Sequence, residues 1–321
     1  MFQLSEVIKD ARTIGIGGHI RPDGDCVGSC MALYLYLKKY VTPGVEVSVY
    51  LEKPAEIFDA ISGIAQIRTE CPQKKYDVFF ALDCESSRLG EAEPLFQDAQ
   101  KKVNIDHHIS NHGCGDCQYI DAAASSTSEL VYDLLDAQYM DAEIAKALYI
   151  GIIHDTGVFQ YSNTSPKTLR IAAELIGYGF DFSALIQHTF YEKTYRQNQI
   201  MGRSMLESIL LLEGRCVVSS VTRRLMEFYG VTPKDLDGIV NHLRDIRGVE
   251  CAVFMYETDV LQYKVSMRST DKVDVAKIAA FFGGGGHKKA AGCTMSGTFH
   301  DVINNLSLHI ERQLEESIIN Q

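Results

Sequence analysis

No stretch of this 321-residue chain approaches the roughly 20 uncharged apolar residues that a membrane-crossing helix requires. Residues 1–10 carry two acids and a lysine ahead of any apolar block, so they do not read as a secretory leader. The expected setting is cytoplasmic, with no membrane partner. Positive charge is also scarce: 31 Lys and Arg face 42 Asp and Glu, a formal net charge of −11. Gripping a long duplex takes many cationic contacts to its phosphates, which this balance excludes. A short or mononucleotide-sized anion needs only a local cluster of cations and stays open. A disulfide framework is missing as well. Nine cysteines is an odd number, and Cys26, Cys30, Cys84, Cys216 and Cys251 lie inside apolar segments, as reduced thiols do. Cys114-Gly115-Asp116-Cys117 beside His112 has zinc-like spacing, but no second pair completes a four-ligand set, so it reads as a turn-rich surface loop. There is no low-complexity segment and no internal repeat.

What is present is an ordinary globular composition, 46% hydrophobic and 23% charged, in a chain long enough for two domains. Residues 1–185 alternate strand-like runs (13–19, 45–51, 76–82, 102–106) with helix-like ones (28–40, 125–139, 144–153, 166–177). Ser126 or Thr127 is a candidate N-cap with Glu129 in the first turn. Such alternation predicts right-handed crossovers and an α/β fold built on a parallel sheet. From Ala184 to Leu206 the pattern is one long helical run, read as a connector over 186–209. Residues 210–321 then form a smaller mixed α/β domain, with strands at 215–221, 250–257 and 261–269 and helices at 273–282 and 301–316.

The chemistry concentrates where strands end. The apolar run Val103-Asn104-Ile105 stops at Asp106-His107-His108, at the carboxyl edge where parallel sheets place their sites. Neighbours on an extended segment point opposite ways, so one of the two histidines is expected to face a given metal, with Asp106 steadying a ring from behind. After the first strand, Pro22 and Gly24 force a tight path that lets His19, Asp23 and Asp25 converge. Asp83 closes a strand that is apolar from Val78, and Asp155 follows an apolar helix. Packed together, four carboxylates repel unless cations neutralise them. Mixed Asp and His ligation suits Mn²⁺, with Mg²⁺ or Co²⁺ as competitors. Six donors exceed what one catalytic ion needs, so two ions are expected, clamping the attacking and leaving oxygens of a phosphoryl displacement.

These motifs resemble the DHH phosphoesterase superfamily at His19-x3-Asp23-x-Asp25, Asp83, Asp106-His107-His108 and Asp155-Thr156. The segment Gly283-Gly284-Gly285-Gly286-His287-Lys288-Lys289-Ala290-Ala291-Gly292 resembles the signature of the DHH-associated domain. The stand-alone two-domain layout is similar to the nano-RNases, which act on oligoribonucleotides a few nucleotides long and on adenosine 3′,5′-bisphosphate. The resemblance implies one ion held by His19, Asp23 and Asp83 and a second by Asp25, Asp83, His107 and Asp155, with Asp83 bridging. It implies that His108 contacts the phosphate or donates a proton, that Asp106 supports it, and that Arg88 is a candidate phosphate contact. His154 carries no implied role and reads as packing.

On the substrate side, consecutive glycines leave backbone N–H groups free to surround an anion. Gly284, Gly285, Gly286 and His287 are therefore candidate contacts, with Arg268 as the planar fork on a phosphate. The expected partners are short single-stranded RNA or a nucleotide and, for the chain itself, a homodimer. Alternatives are a phosphodiesterase for linear or cyclic dinucleotides such as pApA or cyclic-di-AMP, and a non-catalytic nucleotide sensor.

Overall fold

A computed structural model describes residues 3–41 and 43–319. The chain forms two compact units, Met1–Glu192 and Lys193–Gln321. In chain order the first contains α1 (Leu4–Ile8), β1 (Thr13–Gly17), α2 (Gly24–Tyr40), β2 (Glu46–Tyr50), β3 (Ile67–Arg68), β4 (Val78–Leu82), α3 (Glu93–Gln97), β5 (Lys101–Asp106), β6 (Cys117–Ile120), α4 (Thr127–Leu134), α5 (Ala142–Asp155), α6 (Pro166–Ile176) and α7 (Phe182–Ile186). Its sheet has the order β3-β2-β1-β4-β5-β6 and every pairing is parallel. Period-two alternation sorts β4 between two cores. Val78, Phe80 and Leu82 pack with the α2, α4 and α5 side, while Phe79 and Ala81 meet Tyr76 and Phe96 on the other. Helices α2 and α5 cross closely because Gly28 has no side chain; a Cβ there would lie 2.6 Å from the Ala147 carbonyl oxygen.

The second unit contains α8 (Tyr195–Leu206), β7 (Ile209–Leu211), β8 (Cys216–Val221), α9 (Arg223–Tyr229), α10 (Ile239–Arg244), β9 (Cys251–Asp259), β10 (Gln262–Ser269), α11 (Val275–Phe281), β11 (Gly285–His287), β12 (Ala290–Ser296) and α12 (Phe299–Ile319). Its mixed sheet runs β11-β12-β10-β9-β8-β7, with β8 and β9 parallel and the other pairs antiparallel. Val253, Val265 and Met267 face α11 and α12; Val217, Ala252 and Phe254 face the α8, α9 and α10 side.

The helical run expected over Ala184–Leu206 is divided. After α7 a π-helical turn, Gln187–Tyr191, ends the first unit's helix, and α8 starts afresh at a capping box. Thr194 accepts from the Gln197 backbone N–H while the Gln197 side chain returns to the Thr194 N–H, a signal that favours a new helix over continuation. The Cys114–Cys117 segment leads directly into edge strand β6. Neither cysteine belongs to a metal-capable group among the described residues.

Candidate metal centre

In the first sheet the strand order reverses between β1 and β4, so the chains leaving these two strands diverge and open a crevice at their carboxyl ends. His19 and Asp83 lie just past those ends. The His19 Nδ1 is 2.9 Å from the Ile20 carbonyl, which can only accept; Nδ1 therefore carries a proton and Nε2 turns to the carboxylates. Nε2 is 3.5 Å from Asp83 Oδ2 and 3.6 Å from Asp23 Oδ2. Asp23 caps α2, its Oδ1 accepting from the N–H groups of Asp25 and Cys26 at 3.1 Å each, which leaves Oδ2 for the crevice.

A second group forms beside the first. His107 Nε2 is 3.4 Å from Asp155 Oδ2, 3.6 Å from Asp83 Oδ1 and 3.9 Å from Asp25 Oδ2. These separations are too long for hydrogen bonds. They suit donors that share a cation, each about 2.1 Å from it. The two oxygens of Asp83 thus face different groups, Oδ2 toward His19 and Oδ1 toward His107.

The surroundings position these carboxylates by means the sequence does not display locally. Asp25 docks on the N-terminus of α4, where Oδ2 accepts from Thr127 N–H at 2.7 Å and Oδ1 from Ser128 N–H at 2.9 Å. The orphan amides of a helix start suit an anion. Thr127 Oγ1 donates to Asp83 Oδ1 at 3.0 Å, so one helix end orients both acids. Asn163 Nδ2 holds the Asp155 carbonyl at 3.1 Å and the Ser125 carbonyl at 2.9 Å.

His107 and His108 do not point opposite ways. Strand β5 stops at Asp106, so the pleat's alternation no longer applies, and the two rings lie 4.7 Å apart with His108 Nδ1 3.6 Å from Asp83 Oδ1. Asp106 Oδ1 takes both the ring Nδ1 of His108, at 2.7 Å, and its backbone N–H, at 3.1 Å. Asn111 donates to Asp106 Oδ2 and to Asn104 Oδ1, and Asn104 in turn donates to the carbonyls of Ala81 and Cys84. This chain of amides anchors the His108 ring to the end of β4. Neither asparagine stood out in the sequence.

Burial, reinforced by the Asp25 charge, pushes both Asp83 and Asp155 up to about 8. Burial acts the same way on Asp23, but the His19 imidazolium overrides it and holds that carboxyl at about 2. The carboxylates of Asp23 and Asp83 raise His19 against the cost of burying its charge. The hydrogen bond to Asp106 lifts His108 to about 9. Without metal, burial and mutual repulsion favour a proton on the Asp83–Asp155 pair; divalent cations would take its place. The donor set therefore fits the expected ions.

Arg88 lies in a 3₁₀ turn, Ser86–Arg88, with its side chain exposed; its carbonyl accepts from Ile20 N–H at 2.8 Å, tying the loop after β4 to the His19 loop. His154 packs edge-on against Phe58 and Phe190, and Gly24 makes room for it.

In the second unit, Arg268 on β10 and His287 on β11 are both in register with Ala290 on β12. In-register neighbours share a face of the sheet, so the two basic residues form one row. The row beneath is Ser266, Gly292 and Gly285, nearly bare of side chains. The end of the glycine run, Gly285-Gly286, belongs to edge strand β11. A Cβ on Gly284 would meet the Gly292 carbonyl oxygen at 2.2 Å, and Gly286 (φ 146°) is equally close to Ala290 and Ala291.

Residues 13–152 match the DHH family, N-terminal domain, and residues 213–316 match the DHHA1 domain. The chain is 33% identical over 306 residues to the bifunctional oligoribonuclease and PAP phosphatase NrnA of Thermus thermophilus, covering 92% of this chain and 88% of that protein. It is 28% identical over 299 residues to the NrnA of Bacillus subtilis, covering 91% and 92%. The crystal structure of an exopolyphosphatase-related protein from Bacteroides fragilis superposes with a TM-score of 0.87 at 25% identity, covering 98% of this chain and 96% of that one.

Proposed function

This chain belongs to the DHH family, and we propose that it is a two-ion phosphoesterase. In this reading it hydrolyses oligoribonucleotides a few nucleotides long to mononucleotides and removes the 3′-phosphate of adenosine 3′,5′-bisphosphate. The observation that carries the reading is Asp83, whose two oxygens face two separate donor groups from a fully buried position. His19, Asp23 and Asp83 would hold one ion, and Asp25, Asp83, His107 and Asp155 the other. Divalent cations there, Mn²⁺ first with Mg²⁺ or Co²⁺ as competitors, would polarise a phosphoryl oxygen and make water nucleophilic at neutral pH.

His108 has its Nδ1 committed to Asp106 and keeps Nε2–H for a phosphoryl or departing oxygen. Its raised pKa keeps that proton in place at neutral pH. Arg268 and His287, in one row on a nearly bare sheet face, anchor a terminal phosphate as fork and point donor. Such an anchor explains how an acidic protein accepts a nucleotide. Arg88 is a further candidate contact.

The test is a substrate-length ladder in Mn²⁺ with and without chelator, run beside adenosine 3′,5′-bisphosphate, pApA and cyclic-di-AMP. The shortest RNAs and the bisphosphate are expected to turn over, and chelator to stop both. Faster turnover of cyclic-di-AMP would reverse the substrate assignment. Turnover indifferent to chelator would remove the ions.

A further inference from the structure

We infer that Cys26 supplies a sulfur donor to the ion position of His19 and Asp83, so that this position binds thiophilic zinc or cobalt more tightly than the other ion position does. The inference rests on the two-ion reading above. A nitrogen of His19, an oxygen of Asp83 and the Cys26 sulfur all lie within 4.8 Å of one another, and all three residues are buried. The sulfur is placed by the same turn that places Asp23, because Asp23 Oδ1 accepts the Cys26 backbone N–H at 3.1 Å. Space for it is reserved opposite: a Cβ on Gly18 would lie 2.3 Å from Cys26 Sγ. The Cys26 thiol lies 4.0 Å from the His19 carbonyl and also meets the Cys30 thiol.

The group joins one imidazole, one carboxylate and one thiol. Nitrogen, oxygen and sulfur donors together are what zinc accepts, whereas thiolate is a poor ligand for magnesium and manganese. On binding, the S–H bond breaks, a sulfur–metal bond forms and the proton leaves to the buffer, so uptake releases one proton more than carboxylate ligation alone.

The full chain, stripped with chelator, is titrated with Co²⁺ and followed by absorption, with Cys26→Ser and Cys26→Ala beside it and circular dichroism to verify folding. The wild-type protein is expected to show visible ligand-field bands together with a near-ultraviolet thiolate-to-cobalt band. Both variants are expected to keep the former and lose the latter. Zn²⁺ competition is expected to weaken by ~10-fold or more in Cys26→Ser, beyond the loss of an outer hydrogen-bond partner, with Mn²⁺ affinity held level. Ligand-field bands without the thiolate band in the wild type would overturn the sulfur assignment and leave the metal centre standing. A thiolate band that survives in Cys26→Ser would also overturn it, pointing to Cys30 or Cys84. Absence of every cobalt band would sink the centre itself.

Discussion

Replacing Asp83 by asparagine is expected to abolish hydrolysis and, in the absence of metal, to make the protein more stable. The Asp83 side chain is 1% exposed, and burial with the Asp25 charge pushes its carboxyl from 3.8 up to about 8. Between those values the folded protein holds a proton that the unfolded chain has released, so stability falls as pH rises through that window. At about 1.36 kcal/mol per pH unit, roughly 4 units amount to on the order of 5 kcal/mol by pH 8, and to almost nothing near pH 4. Asp155 sits in the same field, and a proton on either acid relieves the other, so a few kcal/mol is the expected gap. Asparagine has nearly the same shape and no charge to desolvate. The assay is urea unfolding in chelator, followed by far-ultraviolet circular dichroism because the chain has no tryptophan. The advantage of Asp83→Asn should widen from acid to alkaline pH. Adding Mn²⁺ should invert the order, since ligand bound only by the folded wild type stabilises it. Equal stabilities at alkaline pH, or a gap that narrows as pH rises, would refute the reasoning.

Other perturbations probe separate links. Asp106→Asn releases the His108 ring, so kcat should fall by ~10²-fold or more, and the alkaline limb of the rate profile should move down from about 9 toward the ordinary histidine value. A pH profile with an unmoved limb would take His108 out of proton transfer. Arg268→Ala should raise KM for substrates with a terminal phosphate by ~10–100-fold, the value of a charge-assisted hydrogen bond, with little change in kcat. A wild-type KM would remove Arg268 from the anchor. Gly151→Ala should weaken Mn²⁺ binding by ~10–100-fold, as loss of an outer support does, because a Cβ there falls 1.9 Å from Ser128 Oγ and 2.8 Å from Asp25 Oδ1. Calorimetric titration showing unchanged affinity would mean that Asp25 does not need its seat on α4.

Legibility in the sequence followed the range of each interaction. The α/β alternation of the first unit is local, since one apolar run makes one strand, and it was readable. So were the acids at the ends of runs, because Pro22 and Gly24 interrupt the chain beside Asp23 and Asp25. The order of strands is not local. Nothing in Thr13–Gly17 or Val78–Leu82 says that β1 and β4 are neighbours at the reversal of the sheet, which is why His19 and Asp83 meet. The support for Asp25 is likewise remote, coming from amides 102 and 103 residues away. The cap of α4 was legible as Ser126 or Thr127, and Ser126 fills it; what the capped helix end would face was not. The strand within the glycine run was not legible either. Glycine is a poor strand former, yet Gly285 and Gly286 pair with β12, and at Gly284 and Gly286 only a residue without a Cβ fits so close to it.

Cys26 shows how a metal ligand can pass for core. In α2, Val27, Met31 and Leu33 are fully buried apolar residues, and a thiol among them reads as one more small hydrophobe. Helical periodicity cannot separate a residue that faces the core from one that faces the crevice when both are buried, because α2 is enclosed nearly all round through its first turns. Only the fold supplies the distinction, by bringing the end of β4 within reach of the first turn of α2 and leaving Gly18 without a side chain opposite the sulfur. The same geometry makes the two ion positions unequal. One has a sulfur within reach and the other only oxygen and imidazole, so Asp83 would join ions of different preference. Mixed metal stoichiometry, one zinc or cobalt retained while the second ion exchanges with manganese, follows from that asymmetry. Two ions exchanging at equal rates would contradict it.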